Sequence, residues 1–308
     1  MTESADWDVT SGAGFMALAV AAARAVESRR ASPLLLDPYA EAFVLAAALP
    51  SPVPTTPEAA AADQSFPWDM VNSYVAVRSK FIDEFFAAAV RDGASDGASD
   101  AGIRQVVILA AGLDTRAFRL EWPDGVTVYE VDAPLVLSFK EKVLGETGAR
   151  PRSVRKIVAS DLREDWSAAL GGAGFDPSLP TAWLAEGLLI YLPDDAKASV
   201  VAVVAELSAP GSTAAFDHII SPTGDMAANA AFREAARRTD FDIDVDTVWS
   251  AGREYDPVDW LRAGGWSVGV SPIAAVAEGY GRPLSPNLPE GMLTALLVTA
   301  HKAGRPRS

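Results

Sequence analysis

The run Val106-Val107-Ile108-Leu109-Ala110-Ala111-Gly112-Leu113-Asp114-Thr115-Arg116 constrains this chain more than any other segment. Four successive apolar residues, three of them β-branched, suit a strand covered on both faces. Ala110-Ala111-Gly112 then strips the backbone of bulk, so that a ligand can approach it closely. A helix is expected to open next, offering unpaired N–H groups and the positive end of its dipole. A second apolar strand, Val126 to Val131, delivers Asp132 twenty residues beyond Gly112. An acid at that offset suits the hydroxyl groups of a ribose. The chain is therefore expected to bind an adenosine-containing cofactor. Taken alone, a small-residue turn between strand and helix is common in α/β proteins, and it lacks the full G-x-G-x-x-G that favours a nicotinamide cofactor.

A length of 308 residues with 49% hydrophobic content supports a full core. The net charge of −15 argues against a phosphate backbone as partner, so no nucleic acid is expected. The chain has no cysteine, which removes disulfides, thiolate metal sites and cysteine nucleophiles. With only two histidines, a transition-metal site is not expected either. The opening Thr2-Glu3-Ser4-Ala5-Asp6 is not a basic-then-apolar signal, and the apolar stretch Phe15 to Ala23 stops at Arg24. The expectation is a soluble cytoplasmic protein with no membrane partner.

Residues 1–100 read as a helical cap. Gly14 to Val26 is an Ala-rich buried helix. A second helix starts at Asp37-Pro38-Tyr39, and Phe66 to Val90 carries apolar residues at helical spacing with Arg78 among them. Four prolines make 50–57 a loop, and the Gly/Ser/Asp tract 92–100 reads as a connector and boundary. From Arg104 onward strands and helices alternate: strands end at Ala110, Val131, Ala159, Ala185 and Asp217, with helices at Pro134 to Glu146 and from Asp194 or Asp195 to Ser208. Residues 222–262 read as mostly helical, and Trp266 to Val270 and Leu293 to Ala300 as the last strands, with a Pro-rich loop between them. This alternation predicts a mostly parallel sheet with helices on both faces over 101–308.

Gly112, Asp132, Asp161, Glu186 and His218 stand at or just past the ends of successive strands, the edge where open α/β sheets bind ligands. Asp132 suits two ribose hydroxyls, or a capping role. Asp161, with the N–H of Leu162, suits an adenine edge, or a helix N-cap. Glu186 lies in an apolar run, where burial without a partner is costly. His218 suits a general base or a structural position, and no catalytic residue is assigned. Arg78, on an apolar helix face, suits either a ligand carboxylate or one of the protein's own acids. The sequence contains no G-x-S-x-G, Walker loop or H-E-x-x-H.

The strings Leu109-Ala110-Ala111-Gly112-Leu113-Asp114-Thr115-Arg116, Tyr129-Glu130-Val131-Asp132-Ala133-Pro134, Ser160-Asp161-Leu162-Arg163-Glu164-Asp165-Trp166 and Ala185-Glu186-Gly187-Leu188-Leu189-Ile190-Tyr191-Leu192 resemble the actinobacterial S-adenosylmethionine-dependent methyltransferases related to leucine carboxyl methyltransferases. Ala21 to Ser28 and Asp37-Pro38-Tyr39-Ala40 are similar to that family too, so the resemblance spans nearly the whole chain. It implies a class I methyltransferase (Rossmann-like) seven-stranded sheet with an N-terminal helical cap. It also implies S-adenosyl-L-methionine as cofactor and a carboxylate or small-molecule acceptor. On the matched positions, Asp132 would hold the ribose, Asp161 and Leu162 the adenine, and the turn of Ala110 and Gly112 the methionine end. Arg78 would meet the cofactor carboxylate, and Glu186 its amino group or the substrate side. The wider family usually carries Gly where this chain has Ala110, which adds a methyl group at the turn. The alternatives are an NAD(P)-dependent oxidoreductase, disfavoured by the missing glycines and the absence of Tyr-x-x-x-Lys, and a non-catalytic cofactor-binding module.

Overall fold

The computed structural model describes residues 12–49, 51–91, 102–218, 256–288 and 290–303. Helices α1 (Gly12–Ser28), α2 (Ala40–Ala46), α3 (Pro57–Ala62) and α4 (Trp68–Arg91) precede the first strand. Then follow β1 (Gln105–Leu109), α5 (Arg116–Arg119), β2 (Thr127–Asp132), α6 (Pro134–Glu146), β3 (Val154–Ala159), α7 (Trp166–Gly172) and β4 (Thr181–Ala185). A 3₁₀ turn (Leu189–Tyr191) leads to α8 (Asp194–Glu206) and β5 (Thr213–His218). The C-terminal part holds α9 (Pro257–Ala263), β6 (Trp266–Pro272), α10 (Ile273–Gly279), α11 (Glu290–Leu293) and β7 (Leu296–Lys302).

The seven strands form one sheet in the order β3-β2-β1-β4-β5-β7-β6. β1 pairs in parallel with β2 (Val107 opposite Tyr129) and with β4 (Val107 opposite Trp183), while β7 runs antiparallel to both β5 and β6. Strand alternation splits the core between the two faces. Val106 and Ile108 of β1 join Phe15 and Leu18 of α1, Ile82 and Phe86 of α4, and Val143 and Leu144 of α6. Val107 and Leu109 join Trp166 and Leu170 of α7, Val200 and Val204 of α8, and Leu261 of α9. No helix among the described residues is long and apolar enough to cross a membrane.

The expected order of strands holds, with β1 ending at Leu109 because Ala110 already belongs to the turn. The helix expected after the glycine turn is present but short. It is a single turn, Arg116 to Arg119, and Leu120 is already extended. Pro123 lies four residues beyond Arg119, so the chain must leave the helical path before it. The Trp122 indole N–H donates to the Arg116 carbonyl at 2.9 Å and seals the end. A long helix dipole therefore does not point into the turn.

Smaller differences have local causes. Pro193, not Asp194 or Asp195, is the N-cap of α8, with both acids in its first turn. The stretch expected as loop ends at Pro57, which starts α3 under a Thr56 side-chain cap. Helix α7 is capped by Asp165, and α10 and α11 interrupt the Pro-rich span before β7. Expectations for 92–101 and 219–255 fall outside the described residues.

Candidate cofactor and acceptor site

The chain leaves β1 toward β2 and β3 on one side, then returns to lay β4 on the other side of β1. Loops leaving the C-terminal ends of β1 and β4 therefore diverge and open a crevice between them. Ala110 to Thr115 occupies one lip, and Glu186-Gly187 the other. Helices α1 and α4 cross above. The result is a cavity of about 380 Å³ lined by Ala110, Gly112, Asp132, Glu186 and Asp217 below, and by Met16, Tyr74 and Arg78 above.

The β1 lip turns sharply, with Ala110 at φ +48° and Gly112 at φ +43°. Both angles lie in the left-handed region, where an L side chain costs about 1–2 kcal/mol. A Cβ on Gly112 would have only the Ala110 carbonyl oxygen, at 3.8 Å, for company, so bare backbone faces open space. The Asp132 carboxylate fixes this turn: the Gly112 N–H donates to Oδ2 at 2.6 Å, and the Ala133 N–H to Oδ1 at 2.7 Å. Each oxygen has a second lone pair to offer. Burial raises the Asp132 pKa above its ordinary value against these two donors.

A second clamp comes from the cap. The Arg24 Nη2 donates to the Leu113 carbonyl at 2.7 Å, and its Nε to Asp37 at 2.8 Å. Asp37 also accepts from the Thr115 hydroxyl at 2.7 Å. Burial pushes the Asp37 carboxyl up, but Arg24 and Arg119 outweigh it and hold its pKa below the usual value.

Arg78 is the hub of a buried ion network. Its Nε donates to Glu186 Oε1 at 2.9 Å and its Nη1 to Asp217 Oδ2 at 2.8 Å, and the guanidinium lies 5.3 Å from the Tyr74 ring centre. The Arg116 Nη1 donates to the other Glu186 oxygen at 2.7 Å and also pairs with Asp114, while its Nε donates to Asp83 at 2.8 Å. Burial pushes the Glu186 carboxyl up, but Arg116 and Arg78 win and leave its pKa below the ordinary value. The same contest at Asp114, won by Arg116, holds its pKa at about 2. Gly187, at φ +60°, donates its N–H to Asp217 Oδ1 at 2.6 Å, and a Cβ there would lie 3.5 Å from Arg78 Nη1.

Arg78, Ala110, Gly112, Asp132 and Glu186 thus come together around one cavity. Asp161 and Leu162 stand one strand farther out, past β3, and are not among the residues lining it. The Ser160 N–H donates to the Asp132 carbonyl at 3.0 Å, so the segment adjoins Asp132. The Asp161 carboxylate accepts from Arg163 Nε at 2.9 Å, which lowers its pKa.

His218 faces away from the cavity. Alternation along β5 puts Phe216 and His218 on one face, and Ala215 and Asp217 on the other. Phe216 packs with α8 and α9, whereas Ala215 packs on the α1 and α4 side. His218 Nε2 lies 3.9 Å from Asp256, and burial lowers its pKa. Asp217, one residue earlier, is the acid that reaches the site. Asp114, Arg116, Tyr74 and Arg24 were likewise not singled out from the sequence. Among them Arg116 had a signal, a lone cation behind a strongly apolar strand and turn.

Comparison with known proteins shows the family. The sequence model of the leucine carboxyl methyltransferase family matches residues 17–205. A Saccharopolyspora erythraea protein is 45% identical over 302 residues, covering 98% of this chain and 100% of its own. A Rhodococcus jostii protein is 44% identical over 295 residues, covering 95% of each chain. Both carry the name S-adenosyl-L-methionine-dependent methyltransferase. Among solved structures, a DUF574-family protein from Streptomyces avermitilis superposes with a TM-score of 0.52 at 16% identity, over 91% of this chain and 96% of that one. A Thermobifida fusca protein described as a methyltransferase gives 0.50 at 18% identity, over 92% and 94%. At those identities, the two structures speak to the fold alone.

Proposed function

The chain belongs to the leucine carboxyl methyltransferase family and is an S-adenosyl-L-methionine-dependent methyltransferase, and from that premise we propose that it methylates an oxygen atom of a small-molecule acceptor in the cavity under α1 and α4. The observation that carries the placement is the tie between Asp132, at the end of β2, and the Gly112 N–H at 2.6 Å, on the β1 side of the sheet's switch point. It sets a carboxylate with spare lone pairs beside bare backbone, which suits a ribose and the chain attached to it.

The other residues take roles from their surroundings. Ala110 and Gly112 let the methionine end lie against the turn. Arg78, held in a fixed orientation by Glu186 and Asp217, presents a cation to the cofactor's carboxylate, and the two acids suit its amino group. Asp161 and Leu162 serve the adenine from the neighbouring strand end, with Arg163 displaced from the carboxylate. When bound, the cofactor supplies a methyl group on a sulfonium. The protein's contribution is alignment of the acceptor with that group in a cavity covered by α1 and α4.

Thermal shift tests this reading. S-adenosylmethionine and S-adenosylhomocysteine, each at about a hundredfold over Kd, should stabilise by roughly 2.7 kcal/mol, a rise of a few degrees. NAD and NADP should leave the melting temperature unchanged. A rise with a nicotinamide cofactor alone would overturn the proposal.

A further inference from the structure

The charges around the cavity are unequal, and they discriminate between acceptors. Two guanidiniums, Arg24 and Arg78, line it against four carboxylates, Asp114, Asp132, Glu186 and Asp217. Arg24 is paired with Asp37 and the Leu113 carbonyl, and Arg78, held by Glu186 and Asp217, is the cation assigned above to the cofactor's own carboxylate. The excess of negative charge suits a cofactor that carries a net positive charge. It leaves no cation at the wall to receive a second anion, among the described residues. The remaining wall is apolar: Met16 and Val20 from α1, Met70 and Val71 from α4, with Ile190 and Met292 closing the side. A carboxylate pressed against that wall would lose its hydration without a partner, which costs several kcal/mol.

We infer that the acceptor is a neutral, apolar molecule presenting a hydroxyl group, and not a carboxylate. This rests on the methyltransferase placement proposed above. The thioethers of Met16, Met70 and Met292 adapt to irregular apolar shapes. Tyr74 and Tyr191 bring two phenols to the same cavity, enough to orient one hydroxyl. The acceptor oxygen forms the new bond to the methyl carbon, the carbon–sulfur bonding pair stays on sulfur, and the hydroxyl proton leaves to water.

The test is calorimetric titration of the full chain saturated with S-adenosylhomocysteine, using 4-propylphenol and 4-propylbenzoate as matched probes at pH 7.5. The phenol should bind at least tenfold tighter. Val20 is half-buried in the apolar wall, and Val20→Lys should narrow that ratio by giving the benzoate a partner. Equal or tighter binding of the benzoate to the unaltered chain would overturn the inference. So would failure of both probes to bind below about 1 mM, or a ratio unmoved in a folded Val20→Lys protein. Failure of S-adenosylhomocysteine itself to bind would instead remove the site proposed above.

Discussion

Replacing Arg78 with methionine removes the cation and keeps the length of the side chain, and the structure says what is left behind. Glu186 retains Arg116 at 2.7 Å. Asp217 retains the Gly187 N–H at 2.6 Å and the Tyr74 hydroxyl at 3.5 Å but loses its guanidinium, with its own side chain only 4% exposed. Breaking a buried pair from one side costs about 3–5 kcal/mol. The two donors that Asp217 keeps put the expected loss at the lower end, ~3 kcal/mol. Urea unfolding of the apo protein at pH 7 reads it. Arg78→Met combined with Asp217→Asn should recover most of the loss, since the uncompensated charge is gone. A loss under about 1 kcal/mol, or no recovery in the double variant, would refute the reasoning.

Ala110→Gly relieves the left-handed backbone but frees the unfolded chain, and the two effects of about 1 kcal/mol each nearly cancel. Urea unfolding should show stability within about 0.5 kcal/mol, whereas Ala110→Val, with its branched side chain, should lose more than ~2 kcal/mol. A Gly variant weakened as much as the Val variant would argue against the turn geometry. Asp37, Asp114 and Glu186 all have folded pKa values below their unfolded ones. Their contribution is present above the ordinary carboxylate range and is lost as pH falls through that range toward 2. Asp132, with its raised pKa, works the other way and favours the fold at low pH. The lowered carboxylates outnumber the raised one and predict a melting temperature that falls steadily below pH 4, and a flat profile from pH 6 to 3 would contradict the ion network.

The strand ends were legible because the signals there are strong and local. Apolar runs at 106–109 and 126–131 each stop at a small or acidic residue, and that placed Gly112 and Asp132 at one edge. Glu186 was legible as an acid that an apolar run could not leave unpartnered. Its partners were not, since Arg78 is 108 residues away and Arg116 is 70. For Arg78 the sequence left two options open, a ligand or the protein's own acids, and Glu186 and Asp217 now hold it. Asp217 and His218 differ by one position, and strand phase alone decides which faces the cavity. That phase is set by the packing of Ala215 and Phe216 on opposite faces. The short α5 had a visible cause in Pro123. The continuous apolar run before it drew attention to a helix that the chain has no room to extend.

The proposed function requires that Asp132 and the turn it fixes hold the adenosine cofactor. Calorimetric titration of S-adenosylhomocysteine into the wild-type chain and into Asp132→Ala tests it most directly. Two hydrogen bonds to an ionised carboxylate, at roughly 1.5–3 kcal/mol each, predict binding weaker by a factor of at least about a hundred in the variant. Affinities within about threefold of each other, in two proteins that melt as folded domains, would contradict the account.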